Sequence, residues 1–205
     1  MDSDRPQRCF RRDSPRTGFD FTSHLRRLCD DMVVRLEQLR HIDMSRVAMS
    51  FSQTRRSGSQ GMFASLTPLR FADGQMHTFR RKRRWGIQRL YDPDGREMFY
   101  ILNFYLPRFL DLPFREKLTT VLHELWHISP KFDGDVRRLG TRCFAHGASQ
   151  KQYDAHIEVL LDRWLSLSPP EPLYAFLRLN FRDLVAGHGR VYGRKIPNPK
   201  LVPLD

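Results

Sequence analysis

His123-Glu124-Leu125-Trp126-His127 decides how this chain is read. On a helix, residues four apart lie on one face, so both imidazoles can reach one metal ion, with the glutamate beside it. That arrangement is the chemistry of a zinc-dependent hydrolase, usually a peptidase. With 8 His and 6 Glu in 205 residues, chance predicts the motif about 0.01 times. Leu118, Val121, Leu122, Leu125 and Ile128 recur around it at helical spacing and predict a buried stripe. Asp111 is the expected N-cap, Pro113 suits the first turn, and Pro130 ends the helix near Ile128 or Ser129. The plainer account is an ordinary helix with a buried polar cluster. It leaves two histidines and a carboxylate on a buried face in need of partners.

Working outward, residues 20–41 keep a three-to-four apolar spacing and predict an N-terminal helix. Arg46–Thr54 alternates like a strand, and Met62–Phe71 reads as a second, with Pro68 pointing to an edge or a bulge. Residues 77–106 read as a β-hairpin around the Asp92-Pro93-Asp94-Gly95 turn, leading into the motif helix. Gln150–Leu167 predicts another helix, with Tyr153, Ile157, Leu160, Leu161 and Trp164 on one face. The expected class is α+β and zincin-like: an antiparallel sheet with an N-terminal helix, the motif helix and a following C-terminal helix. The expected organisation is a disordered basic tail over 1–18, one domain over 19–185, and an extended proline-rich tail over 186–205.

Composition narrows the classes. The apolar fraction of 40% suits a globular domain. No run of about 18 apolar residues predicts a membrane span, and no apolar segment at the start predicts a secretory signal. Cys9, Cys29 and Cys143 are odd in number and widely spaced, as reduced thiols of a cytoplasmic protein would be. The net charge of +12 is uneven: residues 1–90 hold 19 basic against 9 acidic residues, and residues 91–205 hold 16 against 14. Such a field favours anionic partners. Arg80-Arg81-Lys82-Arg83-Arg84, followed by Trp85, is the expected nucleic-acid contact, against the simpler reading of a solvated hairpin.

A catalytic zinc takes three protein ligands and one water. His123 and His127 supply two. Pro130 and Asp133 stand where the metzincin extension requires glycine and histidine, which excludes that class. No cysteine lies between Cys29 and Cys143, which argues against a deformylase. Glu158, His156, Cys143, Asp133 and Asp154 are candidates for the third ligand, but His146 is the preferred one. It lies in Phe144-Ala145-His146-Gly147, after a loop long enough to fold back, and the glycine beside it allows close backbone approach. Glu124 is the expected general base, and Tyr153, Arg137 and Arg138 are candidates to stabilise the oxyanion. The strand Met98–Tyr105 is expected along the cleft, where an extended peptide could add to its edge.

The stretch from His123 to Gly134, with its Pro130-Lys131-Phe132-Asp133-Gly134 loop, then Arg137-Arg138 and His146-Gly147, resembles the zinc metallopeptidases found in phages, bacteria and archaea. Val47–Arg55 and Leu66–Arg70 are similar to the bacterial members. The resemblance covers roughly residues 40–165 and extends to the wider SprT-like zincins. It implies one zinc per chain, a histidine after the motif as third ligand, and peptide hydrolysis, without naming a substrate. SprT-like relatives also include proteases that act on DNA-bound proteins. The rival expectations are a non-catalytic, zinc-stabilised nucleic-acid-binding protein and a partner protein with a vestigial site. The intact ligands and Glu124 argue against the last.

Overall fold

The structure is a computed structural model that describes residues 7–9, 17–54, 61–138 and 150–204. Most of the expected basic tail, together with Cys143 and His146, lies outside the described residues. In chain order, strands β1 (Gln7–Cys9) and β2 (Phe19–Asp20) precede helix α1 (Phe21–Arg35). Six strands follow: β3 (Val47–Gln53), β4 (Ala64–Pro68), β5 (His77–Arg80), β6 (Arg83–Ile87), β7 (Arg89–Tyr91) and β8 (Tyr100–Leu106). Then come α2 (Phe114–Trp126), α3 (Gln150–Ser166), α4 (Phe181–His188), β9 (Val191–Tyr192) and β10 (Leu201–Pro203). The class is α+β. Among the described residues, no helix is long and apolar enough to cross a membrane.

The central sheet has the order β3-β8-β4. It is mixed rather than purely antiparallel as expected, since β8 runs parallel to β3 and antiparallel to β4. Parallel pairing needs a long crossover, and the chain between β3 and β8 is long enough to make one. β8 is buried from Tyr100 to Phe104, as befits a strand covered on both faces. Tyr100, Leu102 and Phe104 enter the main core, while Ile101 joins a smaller cluster with Ala48, Leu69, Leu90, Met98 and Ile196. The strand period of two divides one apolar run between two cores.

Residues 77–106 do not form a single hairpin. β6 pairs with β5 on one side and with β10 on the other, in a separate sheet of order β10-β6-β5. The expected turn is present, with Asp92 Oδ1 accepting the N–H groups of Asp94 at 2.9 Å and Arg96 at 2.7 Å. After it the chain crosses to the central sheet, where Phe99 N–H donates to Arg46 O at 2.8 Å.

α1 is shorter than its apolar spacing suggested. Leu36 leaves the helical region (φ −93°, ψ 111°) and a 3₁₀ turn follows over Glu37–Leu39. Leu36 and Leu39 are nevertheless fully buried: the spacing recorded burial, which continues past the end of the helix. The motif helix α2 begins differently from expectation. Pro113 occupies the N-cap position, while the Asp111 carboxylate accepts the Phe181 N–H at 3.3 Å and so helps to start α4. Leu118, Val121, Leu122 and Leu125 face the main core. The predicted face of α3 also packs there, and the Trp164 indole N–H donates to Asp31 at 2.8 Å. Lys117 on α2 is buried, and its ammonium donates to Leu177 O at 2.9 Å and Leu179 O at 2.8 Å.

Candidate functional site

α2 ends inside the motif. His127 is its C-cap, and its N–H donates to the His123 and Glu124 carbonyls, both at 3.3 Å. Helical spacing turns the two rings toward each other, with the Nε2 atoms 2.9 Å apart and the ring centroids 4.6 Å apart. Two ring nitrogens meeting at one point need either a shared proton or a shared cation. Tetrahedral zinc with bonds of about 2.0–2.1 Å would hold them about 3.3 Å apart, a small ring rotation from the observed separation. These two residues fit a zinc ion.

Glu124 points from the same turn and is only 8% exposed. Burial pushes its carboxyl up to about 7, while the Leu66 N–H of β4 works in the opposite direction. Beside it, Met62, Phe63 and Ala64 lead into β4 and form one wall of a cleft of about 330 Å³. Asp154, Ile157 and Glu158 of α3 form the other wall. Tyr153 lies over both imidazoles, with centroids 4.9 Å from His123 and 5.8 Å from His127, and its hydroxyl donates to His123 O at 3.3 Å. Burial raises its pKa, so the phenol stays protonated.

The loop after α2 is fastened to the sheet by contacts that could not be read from the motif. Tyr100 Oη accepts the Gly134 N–H at 3.0 Å and donates to Asp135 O at 2.8 Å. Phe132 packs between Phe99 and Tyr100, with centroids 5.8 and 5.4 Å away. Gly134 has φ 86°, and a Cβ there would run into the Arg70 side chain, so only glycine fits. The returning chain bridges Val136 to Ile128, and Arg137 N–H donates to His127 O at 2.7 Å. The Pro130–Gly134 turn thereby fixes the second motif histidine from behind.

The structure sorts the remaining candidates. Arg138 is held by the Asp135 carboxylate at 2.7 and 3.0 Å and braces the loop. Arg137 lies 3.8 Å from the Trp126 ring centroid and donates from Nε to Trp126 O at 2.7 Å. Asp133 accepts the Asp135 N–H within its own turn. His156 packs on Trp126 at 4.4 Å, and its buried Nε2 has no hydrogen-bond partner among the described residues. Glu158 lines the cleft but is paired with Arg115 at 2.7 Å. Among the described residues no group of three or more metal-binding side chains is assembled, and both His146 and Cys143 lie outside them. The peptide-accepting edge expected of Met98–Tyr105 is corrected: β8 is flanked on both sides, and the strand beside the motif is β4. Both stretches read as strands from the sequence, but strand order is a long-range property.

Comparison with family models, with curated proteins and with solved structures gives no match to this chain.

Proposed function

We propose that the chain is a zinc-dependent metallopeptidase. The observation that carries this reading is the pair of Nε2 atoms 2.9 Å apart beside a buried glutamate, in a cleft bordered by a sheet edge. His123 and His127 are two ligands, and His146 is the proposed third. A zinc ion held by these residues would supply Lewis acidity, polarising a carbonyl and lowering the pKa of a water to about 7.

Glu124 would take a proton from the attacking water on its carboxylate and return it to the leaving amine. Burial strengthens the hold of that carboxylate on the proton it must carry. The Leu66 N–H orients the carboxylate from one side. Tyr153, kept protonated by burial, is a neutral donor that stands over the imidazoles. An extended peptide would lie along β4, whose outer edge is joined to no other strand among the described residues.

The test is zinc content together with peptide hydrolysis. Protein purified without added metal should carry about one zinc per chain, and Glu124→Gln should keep the metal and lose hydrolysis. Full activity in Glu124→Gln removes Glu124 as the base. Undiminished zinc affinity in His146→Ala removes His146 as a ligand.

A second reading, compatible with the first, is nucleic-acid contact through the β5–β6 turn. Arg80 stands directly opposite Arg83, and Arg81 and Lys82 form the tip with φ 50° and 63°. Like charges placed opposite each other destabilise a sheet, and among the described residues Arg80, Arg81 and Lys82 have no carboxylate partner. Arg83 lies over the Trp85 ring at 5.7 Å. Salt-dependent binding of a generic oligonucleotide would support this role, and no binding at low salt would remove it.

A further inference from the structure

We propose that the molecule has a second ligand site, on the sheet edge opposite the His123–His127 cleft, that binds a pyrophosphate-bearing anion. A cleft of about 630 Å³ opens there between α1, the outer edge of β3 and the Asp92–Arg96 turn. Four guanidinium groups from three distant stretches line it: Arg26 and Arg27 on α1, Arg96 on the turn, and Arg194 after β9. Two carboxylates, Asp92 and Asp94, also line it, and Asp30 pairs with Arg26, so one positive charge is left in surplus.

Several of these groups have fixed roles. Arg26 is anchored by Nε to Asp30 and by Nη1 to Val47 O, both at 3.1 Å. Asp92 Oδ1 is engaged by the two N–H groups of its own turn. Arg27 and Arg96 are exposed and meet no carboxylate among the described residues. Converging cations with surplus charge repel one another, and a multivalent anion between them relieves that repulsion. Guanidinium forks match phosphoryl oxygens in pairs, and several forks suit more than one phosphoryl group. The cleft is also larger than one phosphate requires and falls in the range of about 300–1,000 Å³ typical of organic ligands. Val47, Ala48 and Met98 add an apolar floor beside the arginines. The shared chemistry is a pyrophosphate group, carried by a nucleoside diphosphate or present as free polyphosphate.

The experiment is calorimetric titration of the full chain at low, fixed ionic strength with inorganic pyrophosphate and, separately, with a nucleoside diphosphate. One saturable site per chain is expected. R27E/R96E should weaken it at least tenfold and R27Q/R96Q by less, while the hairpin pair R81E/K82E should leave it unchanged. Tighter binding of the nucleotide identifies that as the source of the pyrophosphate group; equal or tighter binding of pyrophosphate identifies free polyphosphate. Absence of saturation by both ligands at millimolar concentration overturns the proposal. So does undiminished binding by R27E/R96E, or loss of binding in R81E/K82E.

Discussion

β3 and β4 flank the same strand, yet their outer edges meet different fates. Along β3, Phe51 N–H donates to Arg194 O at 3.0 Å, the Ser50 hydroxyl accepts Ile196 N–H at 2.9 Å, and Val47 O accepts Arg26. The C-terminal segment thus covers part of that edge, and arginines occupy the rest. Along β4, the outward Leu66 N–H turns instead to Glu124. An uncovered edge is ordinarily a liability for unwanted pairing. Here the edge, joined to no other strand among the described residues, borders the cleft that holds the motif, and the proposed function would leave it open for a substrate strand.

The sharpest way to break this comparison is at the motif. Glu124→Gln should lower peptide hydrolysis by at least about 100-fold while preserving the thermal transition. A fall in melting temperature alongside activity would make Glu124 a structural group instead.

Next in size is Tyr100→Phe. It leaves the Gly134 N–H and Asp135 O without their shared partner and should cost about 1–3 kcal/mol in denaturant unfolding. No loss of stability would mean that the loop behind His127 is held by Phe132 packing and the Asp135–Arg138 pair alone.

Leu66→Pro tests the edge itself. Proline is tolerated on an outward-facing edge position, so the fold should survive. The carboxylate of Glu124 loses its N–H donor, so its pKa rises and the acidic limb of the pH–activity profile moves to higher pH. An unmoved limb would sever the link between β4 and the base.

Lys117 gives a pH dependence of stability unrelated to the cleft. Burial pushes its ammonium down to about 8 from an ordinary value of 10.5. Between those values the unfolded chain holds the proton more fully than the folded one, so this residue makes stability rise with pH across about 8 to 10.5. Below that window both states are charged and the full burial penalty is present. The urea midpoint of the parent minus that of Lys117→Met should climb across that window.

The smallest structural effect belongs to the ribbon. R81E/K82E should change stability by no more than about 0.5 kcal/mol, while lowering the salt slope of oligonucleotide binding by roughly 2.

Much of the site was legible because its signals are local. The i, i+4 spacing of His123 and His127 requires only that the segment be helical, and Leu118, Val121, Leu122 and Leu125 report that directly. The α3 face was readable for the same reason, and it brought Tyr153 over the imidazoles. The helix starts were less legible. Asp111 has the side chain of an N-cap, but the site where it is used is the start of α4, seventy residues away in sequence. The 77–106 stretch misled because the apolar run Met98–Leu106 suits a buried strand in any sheet, and nothing local records that β8 pairs with β3.

By itself the sequence determined the α+β class, the motif helix with its two imidazoles and glutamate, the α3 face and the basic turn. Each follows from periodicity or charge within about one helix or hairpin. Tertiary structure alone decided the parallel β3–β8 pairing, the choice of β4 as the strand beside Glu124, and the anchoring of the Pro130–Gly134 loop by Tyr100. It also brought four arginines from three stretches around one cleft. These depend on contacts between residues far apart in the chain, which form only when apolar faces with different periods are buried together.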